Sequence, residues 1–179
     1  MFLGAYWGPR RDSAADAAAR IAGFLGTLVA TAPSLSHWYH TGDVVRTDGA
    51  LPLAAIDARG VQAQLDPIRT DSDQREIPEL GWHMALWNGA DVDLSVSIGI
   101  RDNTALNCVV LSFGPDAEEL PQNIQSEILS AMIRTFDPDR AIATDNRLLD
   151  AVHAEFPWEV GWLTFSRGGR LSVGGSRQP

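Results

Sequence analysis

The stretch Asp91-Val92-Asp93-Leu94-Ser95-Val96-Ser97-Ile98-Gly99-Ile100 decides the fold. Val92, Leu94, Val96, Ile98 and Ile100 share one parity, and Asp91, Asp93, Ser95 and Ser97 share the other. A strand sends successive side chains to opposite faces, so this alternation predicts an antiparallel strand with one face packed and one face wet. On its N-terminal side Asn88-Gly89 predicts a hairpin turn, preceded by a strand over Trp82 to Trp87. On the other side Arg101-Asp102-Asn103 turns the chain into a third strand, Asn107 to Phe113. The result is a three-stranded meander.

Further out, Phe2 to Trp7 reads as a first strand ended by Gly8-Pro9. Ser13 with Asp16 three residues later is a capping-box pattern. Ile21, Phe24, Leu25, Leu28 and Val29 then recur at helical spacing until Pro33. His37 to His40 is a short aromatic segment stopped by Gly42, and Val61 to Leu65 is a weak helix crowded by Gly60 and Pro67. Asp66 to Glu79 is the most polar part of the chain and reads as a long exposed loop, a kind of segment that is functional more often than decorative. After the meander, Pro121 opens a helix with the stripe Ile124, Ile128, Leu129, Met132, Ile133 and Phe136, stopped at Asp137-Pro138. A strand Arg140 to Thr144 follows, then a helix capped by Asp145 that carries Leu148, Leu149, Val152 and Phe156, and a last strand from Trp162 to Phe165.

Strands at both ends, a central meander and several helices make an α+β fold. The expectation is a single domain over residues 1–167, with a mainly antiparallel or mixed sheet and helices packed on one face. Gly168, Gly169, Gly174 and Gly175 mark residues 168–179 as a flexible tail. The 179 residues, 45% of them hydrophobic, suffice for one core, and no apolar run is long enough to span a bilayer. The apolar stretch of MFLGAYWGPRR precedes its arginines, the reverse of a secretory signal, so a soluble cytoplasmic protein is expected.

Fourteen basic residues face 23 acidic ones, a formal charge of −9, which argues against binding a nucleic-acid backbone and suits a cationic partner. All fourteen are arginine. The absence of lysine removes P-loop NTPases, Schiff-base enzymes, protein kinases and Ser-x-x-Lys acyl enzymes. Cys108 is the single cysteine, inside an apolar run, so neither an internal disulfide nor a cysteine zinc site can form. Of the four histidines, His37 and His40 would share a face if helical, with Asp43 as a third ligand. A small hydrolytic or metal-dependent enzyme using those three residues is therefore one alternative function, and an effector chaperone or adaptor is another. Asp91 and Asp93 point the same way, but nothing signals the burial that acid–base work requires. No nucleophile elbow, His-Glu-x-x-His or dinucleotide fingerprint is present, and no cofactor is implied. Among the six tryptophans, Trp82 and Trp87 stand beside the acidic residues, where a large ring can anchor a partner.

Several short motifs in fixed order resemble immunity protein 52, a bacterial polymorphic-toxin immunity family. They are Tyr6-Trp7-Gly8-Pro9-Arg10-Arg11-Asp12-Ser13, His37-Trp38-Tyr39 before Gly42, Glu79-Leu80-Gly81-Trp82 through Leu86-Trp87-Asn88-Gly89, and Gly161-Trp162-Leu163-Thr164-Phe165. With the alternating strand and Val109-Val110-Leu111, the likeness covers nearly the whole chain. The resemblance implies a non-enzymatic α+β protein that binds and silences a neighbouring toxin, usually one with a restriction-endonuclease-like nuclease domain. It implies no particular binding residues. Physical reasoning selects Asp71, Asp73, Glu76, Glu79, Asp91 and Asp93 as the carboxylates that meet a toxin's basic cleft, with Trp82 and Trp87 as apolar anchors.

Overall fold

The computed structural model describes residues 1–40, 51–52, 57–68, 75–103, 105–118, 120–144, 161–168 and 172–173. Its frame is one antiparallel sheet. The meander expected from the sequence is present as β5 (Trp82–Trp87), β6 (Val92–Ile98) and β7 (Asn107–Phe113). The N-terminal strand β1 (Phe2–Trp7) lies between β7 and β8 (Arg140–Thr144), pairing antiparallel with both. Beyond β8 come β9 (Leu163–Ser166) and β10 (Ser172–Val173). Beyond β5 come β2 (Tyr39–His40) and β3 (Leu51–Pro52), while β4 (Asp66–Pro67) pairs with another part of β5. The order is β10-β9-β8-β1-β7-β6-β5-β2-β3, with β4 off this path, and every described pairing is antiparallel.

Three α-helices, α1 (Ala14–Thr31), the short α2 (Ala58–Gln62) and α3 (Gln122–Phe136), and two 3₁₀ turns, Pro33–Leu35 and Pro78–Leu80, complete the described structure. The capping box forms as expected: the Ser13 hydroxyl accepts the Asp16 backbone N–H at 3.1 Å, and the Asp16 carboxylate accepts the Ser13 backbone N–H at 3.4 Å. The Ser13 hydroxyl donates to the Asp16 carboxylate at 2.7 Å, and this bond, with the backbone N–H one, holds the Asp16 carboxyl below its ordinary pKa. α1 then buries Ala17, Ala18, Ile21, Phe24, Leu25 and Leu28. α3 buries Ile128, Leu129, Met132 and Phe136 and ends at Asp137, whose φ of 46° is left-handed. Arg10 donates to the carbonyls of Phe136 and Asp137 at 2.6 and 2.7 Å, and Arg167 also reaches the Asp137 carbonyl. Two guanidinium groups thus satisfy the last turn and complement the negative end of the helix.

The core lies between these helices and one face of the sheet. Leu3, Ala5, Trp7, Met84, Leu86, Leu94, Val96, Val109 and Leu111 are all fully or almost fully buried there. Trp7 stacks on Phe136 with ring centroids 5.6 Å apart, and Phe24 meets the same ring edge-on. Truncating a core side chain such as Leu111 to alanine costs about 2–5 kcal/mol. One polar residue is built into this face. Asn107 is fully buried; its amide oxygen accepts the Ile100 N–H at 2.8 Å, and its amide nitrogen donates to the carbonyls of Gly8 and Ile100 at 2.8 and 3.1 Å. It ties the β6–β7 turn to the exit of β1.

Several local expectations shift. β6 stops at Ile98 because Gly99 turns to φ 84°, although Ile100 is still buried. The hairpin closes between Asn88 and Val92 through Gly89-Ala90-Asp91, so Asn88-Gly89 does not form a tight two-residue turn. The Asn88 side-chain oxygen instead accepts the N–H groups of Ala90 and Val92. α2 starts at Ala58, earlier than expected, because Asp57 caps it by accepting the Gly60 N–H at 2.7 Å. The acidic segment is pinned at both ends: β4 pairs with β5, and the Ile77 N–H donates to the Ile68 carbonyl. Ser172–Val173, within the expected tail, pair with β9. The helix expected after Asp145 lies outside the described residues. No described helix is long and apolar enough to cross a membrane.

Replacing Asn107 with alanine leaves the buried Ile100 N–H without its acceptor and the half-buried Gly8 carbonyl without its amide donor, while the Ile100 carbonyl keeps the Arg10 N–H; the change should cost about 2 kcal/mol, read as a fall in the urea midpoint with an unchanged slope. An unchanged midpoint would mean that the turn does not depend on this amide.

Candidate functional site

The face of the sheet opposite the core carries the polar parity of β5, β6 and β7. His83, Ala85 and Trp87 project from β5, Asp93, Ser95 and Ser97 from β6, and Cys108, Val110 and Ser112 from β7; all are half-buried. The strand registers arrange them in rows. At one end Tyr39, Trp87, Asp93 and Ser112 stand side by side. At the other, Asp66, His83, Ser97, Cys108, Tyr6 and Arg140 cross six strands.

The aromatic end is organised by the hairpin. The Trp87 indole N–H donates to the Ala90 carbonyl, and the ring lies 5.9 Å from that of Tyr39 at a tilt of 45°. Tyr39 also packs against Gly89, whose φ of 81° and close approach to the ring, where an added Cβ would lie 3.1 Å from it, both favour glycine. Asp91 holds the chain that follows β7. Its carboxylate accepts the Asp116 N–H at 3.0 Å, and its backbone carbonyl accepts the Gly114 N–H at 2.8 Å. A Cβ on Gly114 would sit 1.9 Å from that carboxylate, so the hairpin is clamped to the β7–α3 connection through a contact only glycine allows.

The expected contact residues therefore divide. Trp87 and Asp93 are cross-strand neighbours on the face opposite the core. Trp82 shares the parity of Met84 and Leu86, faces the helix side and lies against Gly99, half-buried. It is five residues from Trp87, roughly 17 Å along the strand. Glu76 and Glu79 are exposed near the Trp82 end, where the Glu79 carbonyl accepts the Arg101 N–H at 2.7 Å. Asp71 and Asp73 lie outside the described residues. The structure thus gives two acidic–aromatic groups at the two ends of β5, with Asp91 holding one of them in shape.

The histidine arrangement differs from the helical one considered above. Residues 36–38 have no helix, His37 is exposed beside the Ser36 hydroxyl, and His40 belongs to β2 with its ring 3.8 Å from the Asp66 carboxylate. His37 and His40 thus share no helical face, and Asp43 lies outside the described residues. Among the described residues no group of three or more His, Cys, Asp and Glu is placed to hold a metal ion. Asp66 and His83, which stand opposite each other in the β4–β5 pairing, were not singled out in the sequence because a two-residue strand has no periodicity to read.

Burial sets the protonation behaviour of the polar row. It pushes the His83 imidazole below its ordinary pKa, against an opposing pull from Asp66, while His83 Nδ1 lies 3.3 Å from the Ser97 hydroxyl. It pushes the Cys108 thiol up, and the Tyr6 phenol up to about 12. At neutral pH the row therefore presents a neutral imidazole, a thiol and a phenol. These groups can hydrogen-bond a partner, and none of them is poised as a nucleophile.

Comparison with known proteins gives one family: the model described as immunity protein 52 matches residues 1–173. No curated protein matches the chain.

Because the folded state depresses the His83 pKa, the unfolded chain binds more protons once the pH falls below the ordinary value of 6.5. Stability should therefore fall as the pH drops through that value toward the folded pKa. His83→Gln should flatten the dependence of the urea midpoint between about pH 7 and pH 5 relative to the parent chain. Parallel profiles would show that His83 is not desolvated.

Proposed function

We propose that this chain, which belongs to the immunity protein 52 family, binds a cognate bacterial toxin and silences it by stoichiometric occlusion. The single observation that carries this reading is the match over residues 1–173, nearly the whole chain. The toxin is a nuclease with a restriction-endonuclease-like domain and a basic cleft. The immunity protein turns over no substrate, and it meets its partner in the cytoplasm of the cell that makes both.

Charge supports the pairing. A nuclease must present Lys and Arg to hold phosphates, so a body of net charge −9 is attracted to the cleft that the nucleic acid would occupy. The contact carboxylates are Asp71, Asp73, Glu76, Glu79, Asp91 and Asp93, and the apolar anchors are Trp82 and Trp87. Within that set the roles differ. Asp93 and Trp87 offer charge and ring from one face, Glu76 and Glu79 add exposed charge near the other end of β5, and Asp91 keeps the hairpin in register with Asp116. Long-range attraction speeds encounter, and the desolvated rings slow escape.

Expressing the adjacent toxin gene alone should stop growth, and co-expressing this chain should restore it. Asp71→Arg, Asp73→Arg, Glu79→Arg and Asp93→Arg combined should lower the association rate at least about tenfold at low salt and flatten its salt dependence. Asp91 is left intact so that the hairpin keeps its clamp. Failure to restore growth would sink the immunity reading, and rates within twofold of the parent would remove this acidic surface from it.

A further inference from the structure

The face opposite the core, on which no helix packs among the described residues, continues to a groove of ≈ 250 Å³, lined by Tyr6, Trp7, Gly8, Leu106, Asp139 and Arg140. Leu106 is the exposed large hydrophobic residue among those described, 40% accessible at the rim of this groove. The register explains its position. Extending the β1–β7 ladder by one residue sets Leu106 opposite Gly8, on the same face as Tyr6, Cys108 and Arg140. The buried residues of α1 and α3 share a core cluster with the opposite face only. At β8 this face closes: Ile142 is fully buried, and a Cβ on Gly161 would come within 2.3 Å of its Cγ1.

We propose that this whole face, and not its acidic rim alone, receives the toxin: a cationic protein surface lies across it and inserts one protruding apolar side chain into the Leu106 groove. The inference rests on the immunity reading above and adds where on the chain the partner sits. Three features fit that occupant. The face between β5 and β1 carries the small or medium side chains of Ala85, Ser95, Ser97, Cys108, Val110 and Ser112, so another rigid surface can approach closely. Its carboxylates, Asp66 and Asp93, stand on the β4–β6 side, where attraction to a cationic surface is strongest; Arg140 stands apart on β8 beside the groove. From Trp87 to Leu106 and from β5 to β1 the face measures about 20 by 14 Å. That is about a third of the roughly 800 Å² each partner contributes to a standard interface. The hairpin and the acidic segment around the face would supply the rest of the contact.

The test uses the full chain and the purified toxin encoded by the adjacent gene. Leu106→Asp places a charge in the groove, and Ser95→Arg places a bulky cation in the middle of the face. Glu127→Arg, on the exposed side of α3, changes charge by as much as Ser95→Arg or more without touching the face. Leu106 and Glu127 are surface positions, so those variants should keep the parent's unfolding midpoint. Leu106→Asp and Ser95→Arg should each raise the dissociation rate at least about thirtyfold, while Glu127→Arg stays within threefold. If the parent binds the toxin and both face variants bind within threefold of it, the toxin docks elsewhere and the immunity reading stands. If the parent itself does not bind, both inferences are overturned.

Discussion

Each strand of this sheet must send alternate side chains to opposite faces, and the described helices α1 and α3 cover one of them. The consequences run through the molecule. Val92, Leu94, Val96 and Ile98 are buried against the helices, while Asp93, Ser95 and Ser97 stay half-buried on the other side. A register slip of one residue would exchange those sets, burying a carboxylate and exposing four aliphatic side chains. Register is therefore held wherever the chain turns: by the Asn88 side chain and the Asp91 clamp at one hairpin, and by the three hydrogen bonds of Asn107 at the next turn.

That same constraint divides the residues available to a partner. Trp82 and Trp87 flank the same strand, yet five positions of alternation put them on opposite faces and at opposite ends. The aromatic end is stiffened by its own contacts, with Trp87 bonded to the Ala90 carbonyl and set against Tyr39, so a partner meeting it orders little that is not already fixed. In the proposed complex, carboxylates on the two sides of β5 would act at a distance, and the rings and the Leu106 groove on contact. Protein inhibitors that must both arrive quickly and leave slowly need the two kinds of surface together.

Much of the fold was legible because it was written in period. The alternation of Asp91 to Ile100, the stripe from Ile124 to Phe136 and the Ser13–Asp16 pair each name an element, and β1, β5, β7 and β8 fall where the sequence puts them. What periodicity does not encode is pairing across distance. Nothing local in Phe2 to Trp7 says that it lies between β7 and β8. Two-residue strands such as Asp66–Pro67 are too short to show a period, so part of an apparent loop proved to be a sheet edge. The same limit governed the site. Charge and tryptophan content pointed to the β5–β6 hairpin, whereas the groove at Leu106 arises from three strands meeting and has no motif.

The account stands or falls on which surface the toxin covers. Oxidative footprinting of the chain with and without saturating toxin reads that directly, by mass spectrometry of Trp87, Tyr39, Cys108 and Leu106 against the helix-side residues Thr27 and Arg134. Protection of the first group, with the second unchanged, is the expected result. Protection of Thr27 and Arg134, with Trp87 and Leu106 still oxidised at the free rate, would contradict it.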